Sequence, residues 1–201
     1  LTGRLLAEDT GARLNGLAIP EICEKRIKMH FGGENKSVFL LMENAYTLIA
    51  SAAYTCPNGL RAIVKQYQDT GCRLDQAYRK FYLYYDQIED SEGFEMLREL
   101  VENIYTNEYL AEQLPKWNAA LAEPDSLELL PLQRNFYARN IRTADVRTVV
   151  IISDAMRYEV GRELFARMQD DPKCTARLDV MLGVLPSYTQ LGMAALLPHR
   201  T

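Results

Sequence analysis

Residues 147–164 read RTVVIISDAMRYEVGREL, and their interpretation decides the fold of the C-terminal part of the chain. RTVVIIS is an unbroken aliphatic, β-branched run, the pattern of a strand covered on both faces in a parallel sheet. Met156, Val160, Leu164 and Met168 then recur at helical steps. The sequence repeats this alternation once. LDVMLGVLP (178–186) is a second predicted strand and TQLGMAALL (189–197) a second predicted helix. Strand–helix–strand–helix is the opening of an α/β domain, expected over residues 146–201 and truncated there.

Working toward the N-terminus, the period changes. Val38, Leu41, Met42, Ala45, Leu48, Ile49 and Ala52 mark one face of a helix. After the CPNG punctuation at 56–59, Leu60, Ile63, Val64 and Tyr67 begin another. Leu74, Ala77, Tyr78, Phe81, Tyr85 and Ile88 continue the pattern, as do Phe94, Leu97, Leu100, Val101, Ile104 and Tyr105, then Leu110, Leu114, Trp117 and Leu121. Residues 1–125 are therefore expected to form a helical domain with short connections. Within it, the first 36 residues suggest a short helix bounded by Pro20 and Gly32. AEPDSLELLPLQRN opens a linker or docking segment assigned to 126–145. The fold class expected is α plus α/β.

Composition excludes several classes. The 201 residues carry a net charge of −4, so global charge does not argue for a polyanion-binding surface. Cys23, Cys56, Cys72 and Cys174 lack zinc-finger spacing, and a disulfide framework is unexpected at this length. No apolar run reaches the roughly 18–20 residues of a membrane helix, and no signal peptide is evident. A cytoplasmic protein without a membrane partner is expected. A start at Leu1 and a stop at Thr201 read as a segment cut from a longer chain.

Ligands of open parallel sheets gather outside the carboxyl ends of the strands. Asp154 stands there after the first strand, and Ser187 and Thr189 after the second. A carboxylate beside a hydroxyl suits metal-assisted phosphoryl chemistry, because coordination favours the alkoxide that a free hydroxyl seldom becomes. An Asp carboxylate is a hard oxygen ligand for zinc, manganese or magnesium. A helix starting at Thr189 would also aim backbone N–H groups at a phosphate. The competing reading is capping: Asp154 for a helix starting at Ala155, Thr189 for the helix containing Met193 and Leu196. Ser187 is the weaker candidate, since it follows Pro186 and lies farther from the helix.

Other chemistries fit less well. A haloacid-dehalogenase-type phosphotransferase wants a second Asp where Met156 stands. Neither strand is followed by GxGxxG or a P-loop, and PSYTQ is not a GxSxG elbow. AYRKFYLYY (77–85) interleaves basic and aromatic residues as a nucleic-acid surface does, but its apolar members sit at core spacing. His30 and His199 have no metal-like neighbours in sequence. Arg157 and Glu159 either organise the site or lie on an exposed helix face.

VVIISDAMRYEVGREL (149–164) followed by LPSYTQLGMAALLPH (185–199) resembles the PglZ domain of the alkaline phosphatase superfamily. RLDQAYRKFY (73–82) and VENIYTNEYLAEQLPKW (101–117) resemble the region preceding that domain in PglZ proteins of BREX phage-defence systems. The resemblance implies an alkaline-phosphatase-like α/β core that binds two divalent metals, usually zinc, and acts on phosphate esters as phosphatase, phosphodiesterase or nuclease. Asp154 matches the metal-binding Asp of that superfamily. Thr189 matches its nucleophile, also a metal ligand. The implied partners are BrxB, a DNA methyltransferase and an ATPase, with DNA or another phosphate ester as substrate. The superfamily's other ligands lie downstream of the nucleophile, so the segment alone is expected to be inactive. The alternative is a docking module, for protein or DNA, with a scaffold-like α/β core. A third reading is a structural domain whose Asp154 and Thr189 are only caps.

Overall fold

The computed structural model describes residues 1–29, 33 and 35–198. The described chain is mostly helical, with one small two-stranded sheet. It divides into two compact units, Leu1–Ala119 and Ala120–Thr201.

The first unit holds α1 (Thr2–Leu6), α2 (Ile19–Ile27), α3 (Lys36–Ile49), α4 (Leu60–Gln66), α5 (Cys72–Tyr85), α6 (Glu95–Asn103) and all but the last turn of α7 (Ala111–Ala122). The periodic faces become its core. Leu41, Met42, Ala45, Leu48 and Ile49 of α3 are buried with Leu74, Ala77 and Phe81 of α5 and Leu97 and Val101 of α6. The expected N-terminal helix forms as α2; its Glu21 carboxylate accepts the Ala18 N–H at 2.7 Å, and Pro20 occupies the first turn. Its expected boundary at Gly32 lies outside the described residues. Before it, Arg13–Leu14 (β1) pairs antiparallel with Leu17–Ala18 (β2). Asn15 and Gly16 form the turn, both at positive φ, 51° and 79°. An Asn-Gly pair is the strongest short hairpin signal, so this element was readable in the sequence but absent from the helical expectation.

Two π-helical turns, Tyr67–Gly71 and Ile104–Leu110, join α4 to α5 and α6 to α7. The first brings Gly71 so near the aromatic layer that a Cβ there would lie 2.8 Å from the Tyr67 ring and 2.9 Å from the Tyr109 hydroxyl. The tyrosines of AYRKFYLYY pack inward, as the core reading expects. Tyr78 stacks on Tyr105 with centroids 3.7 Å apart, while Phe81 is completely buried. Tyr78 and Tyr82 both donate to Glu102 Oε2, at 2.7 and 2.5 Å, tying α5 to α6.

The hydroxyls of Tyr82 and Tyr78 hold the Glu102 carboxyl below its ordinary value of 4.5. A depressed carboxyl pKa contributes stability that is fully present above the unfolded-state value and is lost as pH falls through the folded one. Tyr82→Phe is therefore expected to cost about 1 kcal/mol at neutral pH, the net worth of a partly exposed hydrogen bond. At acid pH, once Glu102 has taken up its proton below the ordinary carboxylate value, the cost should shrink. Urea unfolding at the two pH values measures the difference.

The second unit holds α8 (Tyr158–Gln169) and α9 (Thr189–Leu196), with short 3-10 turns at Ser126–Leu129 and Gln133–Asn135 and a π turn at Tyr137–Ile141. Both expected helices form, although α8 starts at Tyr158. The two expected strands form no ladder among the described residues. Their one pairing is an isolated parallel bridge between Leu132 and Leu182. A strand buried on both faces requires bonded neighbours and helical cover. Val149 and Ile151 instead remain 76% and 88% exposed. Within the segment read as linker or docking element, Pro131 O accepts from Leu182 N–H at 2.7 Å, and Gln133 N–H donates to Leu182 O at 2.9 Å.

Candidate functional site

Asp154 and Thr189 meet, although 35 residues separate them in sequence. The Thr189 hydroxyl donates to Asp154 Oδ1 at 3.3 Å, with Oδ2 at 3.5 Å. Both side chains are exposed. They line an open cleft of about 330 Å³ together with Ser187, Tyr188, Gln133, Met193, Ala155 and Val184.

The capping alternatives fail on geometry. Arg157, not Asp154, stands at the N-cap of α8, and no side chain caps that helix. The Asp154 carboxylate accepts its own neighbour's N–H, Ala155, at 2.9 Å. Ala155 is held at φ +53°, a left-handed conformation that costs a non-glycine residue of order 1 kcal/mol. Thr189 is the first helical residue of α9, after the N-cap Tyr188, and its hydroxyl turns to Asp154 rather than to its own helix. The first-turn N–H groups of α9 have no acceptor within the helix, which makes that end an attractive neighbour for an anion.

The other candidates are distributed differently. Ser187 lines the cleft beside Thr189. Glu159 is buried at 2% exposure, which removes the exposed-face reading for it; Arg157 is exposed and does not line the cleft. His30 and His199 lie outside the described residues. The sequence reading missed Gln133, whose side chain accepts the Val184 N–H and donates to Gly192 O, each at 3.0 Å. No local signal marks it, because its role depends on segments about 50 and 60 residues away.

Asp154 and Thr189 suit a divalent metal as donors, being hard oxygens converging from two elements. They offer two oxygen donors, fewer than a full metal shell takes. Among the described residues no group of three or more His, Cys, Asp or Glu side chains is placed to hold an ion. Nor is any described helix long and apolar enough to cross a membrane.

Residues 135–201 match the family model of the BREX system PglZ alkaline phosphatase-like domain. The chain is 38% identical over 194 residues to the alkaline phosphatase-like protein PglZ of Bacillus cereus (strain H3081.97), covering 90% of this chain and 22% of that protein. It is 42% identical over 148 residues to the alkaline phosphatase-like protein BrxZ of Escherichia coli O9:H4 (strain HS), covering 67% of this chain and 17% of that protein. The chain thus spans about a fifth of the length of these curated relatives. No solved structure matches it. The resemblance seen in SDAMRYE and PSYTQLGMAALLP is thus supported: residues 135–201 match the PglZ domain, and the chain is similar to PglZ and BrxZ over most of its length.

Proposed function

We propose that the parent protein is a phosphoric ester hydrolase of a BREX phage-defence system, working beside partners such as BrxB, a methyltransferase and an ATPase. The observation that carries this reading is the 3.3 Å hydrogen bond between Thr189 and Asp154 in the cleft. The Thr189 oxygen attacks phosphorus as its proton passes to solvent, the P–O ester bond breaks and the leaving oxygen takes up a proton from water, and a further water later cleaves the resulting phosphothreonine and restores the hydroxyl. Asp154 orients the hydroxyl by accepting its hydrogen bond in the resting state, which leaves the lone pairs of the Thr189 oxygen free. The N-terminal N–H groups of α9 favour the negative phosphoryl group.

Asp154 and Thr189 would be two ligands of a divalent metal pair, zinc by the resemblance, with manganese or magnesium as alternatives. When bound, the metals would act as Lewis acids toward the hydroxyl and the phosphoryl oxygens. The remaining ligands, and the sheet of an alkaline-phosphatase-like core around the 147–153 and 178–186 runs, would come from outside this segment. Alone, the segment is proposed to be inactive.

Hydrolysis of a chromogenic phosphodiester by the parent protein, with zinc or manganese and after chelation, tests the reading. Asp154→Asn keeps the shape but weakens both charge and metal affinity. It is expected to lower turnover on the order of 10²-fold, the upper range for weakening a metal site. Unchanged turnover would remove Asp154 from the mechanism. An analogous monoester in parallel separates phosphatase from phosphodiesterase activity.

A further inference from the structure

We propose that Gln133 is a positioning residue that fixes the Thr189 loop, a role resting on the reading of Thr189 as the nucleophile. Residues 185–188 connect the second aliphatic run to α9, and Gln133 grips this connection at both ends. Its Oε1 accepts the Val184 N–H before the loop, and its Nε2 donates to Gly192 O one turn into α9. The side-chain amide offers a neutral donor and a neutral acceptor on one flat group, which is what this pair of bonds uses.

The clamp is itself anchored. Gln133 N–H donates to Leu182 O, and Leu182 N–H returns to Pro131 O, so the backbone beneath the amide is fixed to the run that the side chain holds. The clamp does not depend on glycine at its two contacts, where an added Cβ would meet the amide at ordinary van der Waals distance. A Cβ on Gly183 would lie 3.5 Å from Oε1, and one on Gly192 would lie 3.6 Å from Nε2. Gln133 also lines the cleft with Asp154 and Thr189. It lies just before the stretch that matches the PglZ family model. Its consequence is mechanical: with Val184 and Gly192 held to one rigid amide, the Thr189 hydroxyl stays within reach of Asp154. Displacement of a reacting group by about 1 Å can cost on the order of 10²-fold in rate.

The test uses the parent protein with Gln133→Met, which keeps length and loses both bonds, and Gln133→Glu, which keeps the acceptor for Val184 N–H. Hydrogen exchange read by mass spectrometry should rise roughly tenfold across 183–192 in Gln133→Met and stay unchanged across α8, as local opening predicts. With the chromogenic phosphodiester, kcat should fall roughly 10- to 100-fold while KM moves less than about threefold, with Gln133→Glu in between. Unchanged exchange across 183–192 would overturn the clamp whatever the enzyme does. Faster exchange with unchanged kcat, or a change confined to KM, would overturn the positioning role. Inactive wild type, or Thr189→Ala as fast as wild type, would instead sink the nucleophile reading and with it the catalytic half of this proposal; exchange would still decide the clamp.

Discussion

Thr189→Ala in the parent protein is expected to reduce phosphodiester turnover by roughly a thousandfold or more, because the residue whose oxygen forms the covalent bond is removed. Structural damage cannot account for such a loss. Thr189 is exposed, opens α9 without capping it, and has Asp154 as its hydroxyl partner. Surface changes of this kind shift stability by about 0.5 kcal/mol or less, far short of the roughly 4 kcal/mol that a thousandfold rate change represents. Thr189→Ser restores the oxygen and should return the rate to within about tenfold of wild type, since the chemistry again has its nucleophile. Acid-quenched reactions should contain a phosphorylated peptide spanning 185–197 in the wild type and none in Thr189→Ala. Equal turnover in wild type and Thr189→Ala would eliminate the nucleophile. A docking role would gain ground if neither protein hydrolysed any ester while the helical unit bound DNA in a salt-sensitive way without metal.

The proximity of Asp154 and Thr189 was legible because strand-end positions follow from the aliphatic runs that precede them. The absence of a ladder was not. A β-branched run specifies which residues want cover, but its hydrogen-bond partners are non-local. In the described residues, Leu182 finds Leu132 alone. The capping alternatives failed for a related reason: a carboxylate before Ala155 looks like a helix start, yet Ala155 adopts a left-handed φ and the helix waits until Tyr158. Periodicity served the helical unit better, since α3 and α5 bury the residues their spacing selects. It could not place the π turns, because an extra residue within one turn shifts the phase without leaving a local mark. Gly71 alone hints at one, through the close approach of Tyr67 and Tyr109. Gln133 had no such hint: its two bonds exist only once 133, 184 and 192 have been brought together.

Phe81→Ala is the corresponding prediction for the helical unit, and it tests whether the periodic faces make a packed core or a loose collapse. Phe81 is completely buried within the cluster formed by α3, α5 and α6. Its ring meets Tyr82 edge-on at 5.6 Å and stacks over Tyr85 at 6.2 Å. Removing it from a close-packed interior forfeits the transfer free energy of the ring and leaves a cavity, about 3–5 kcal/mol together. The neighbours have little freedom to collapse inward, because Tyr82 and Tyr85 are held by their hydroxyls to Glu102 and Glu95. Thermal unfolding followed by far-ultraviolet circular dichroism should therefore shift down by roughly 10–20 °C. Phe81→Leu, which keeps most of the volume, should cost less than about 1.5 kcal/mol. A loss below about 1 kcal/mol for Phe81→Ala would mean that the cavity is filled or was never tightly packed. The tyrosine–carboxylate bonds, rather than the apolar faces, would then define the helical unit. A large loss for alanine and a small one for leucine would assign that role to the core, with the tyrosines setting the alignment of α5 against α6.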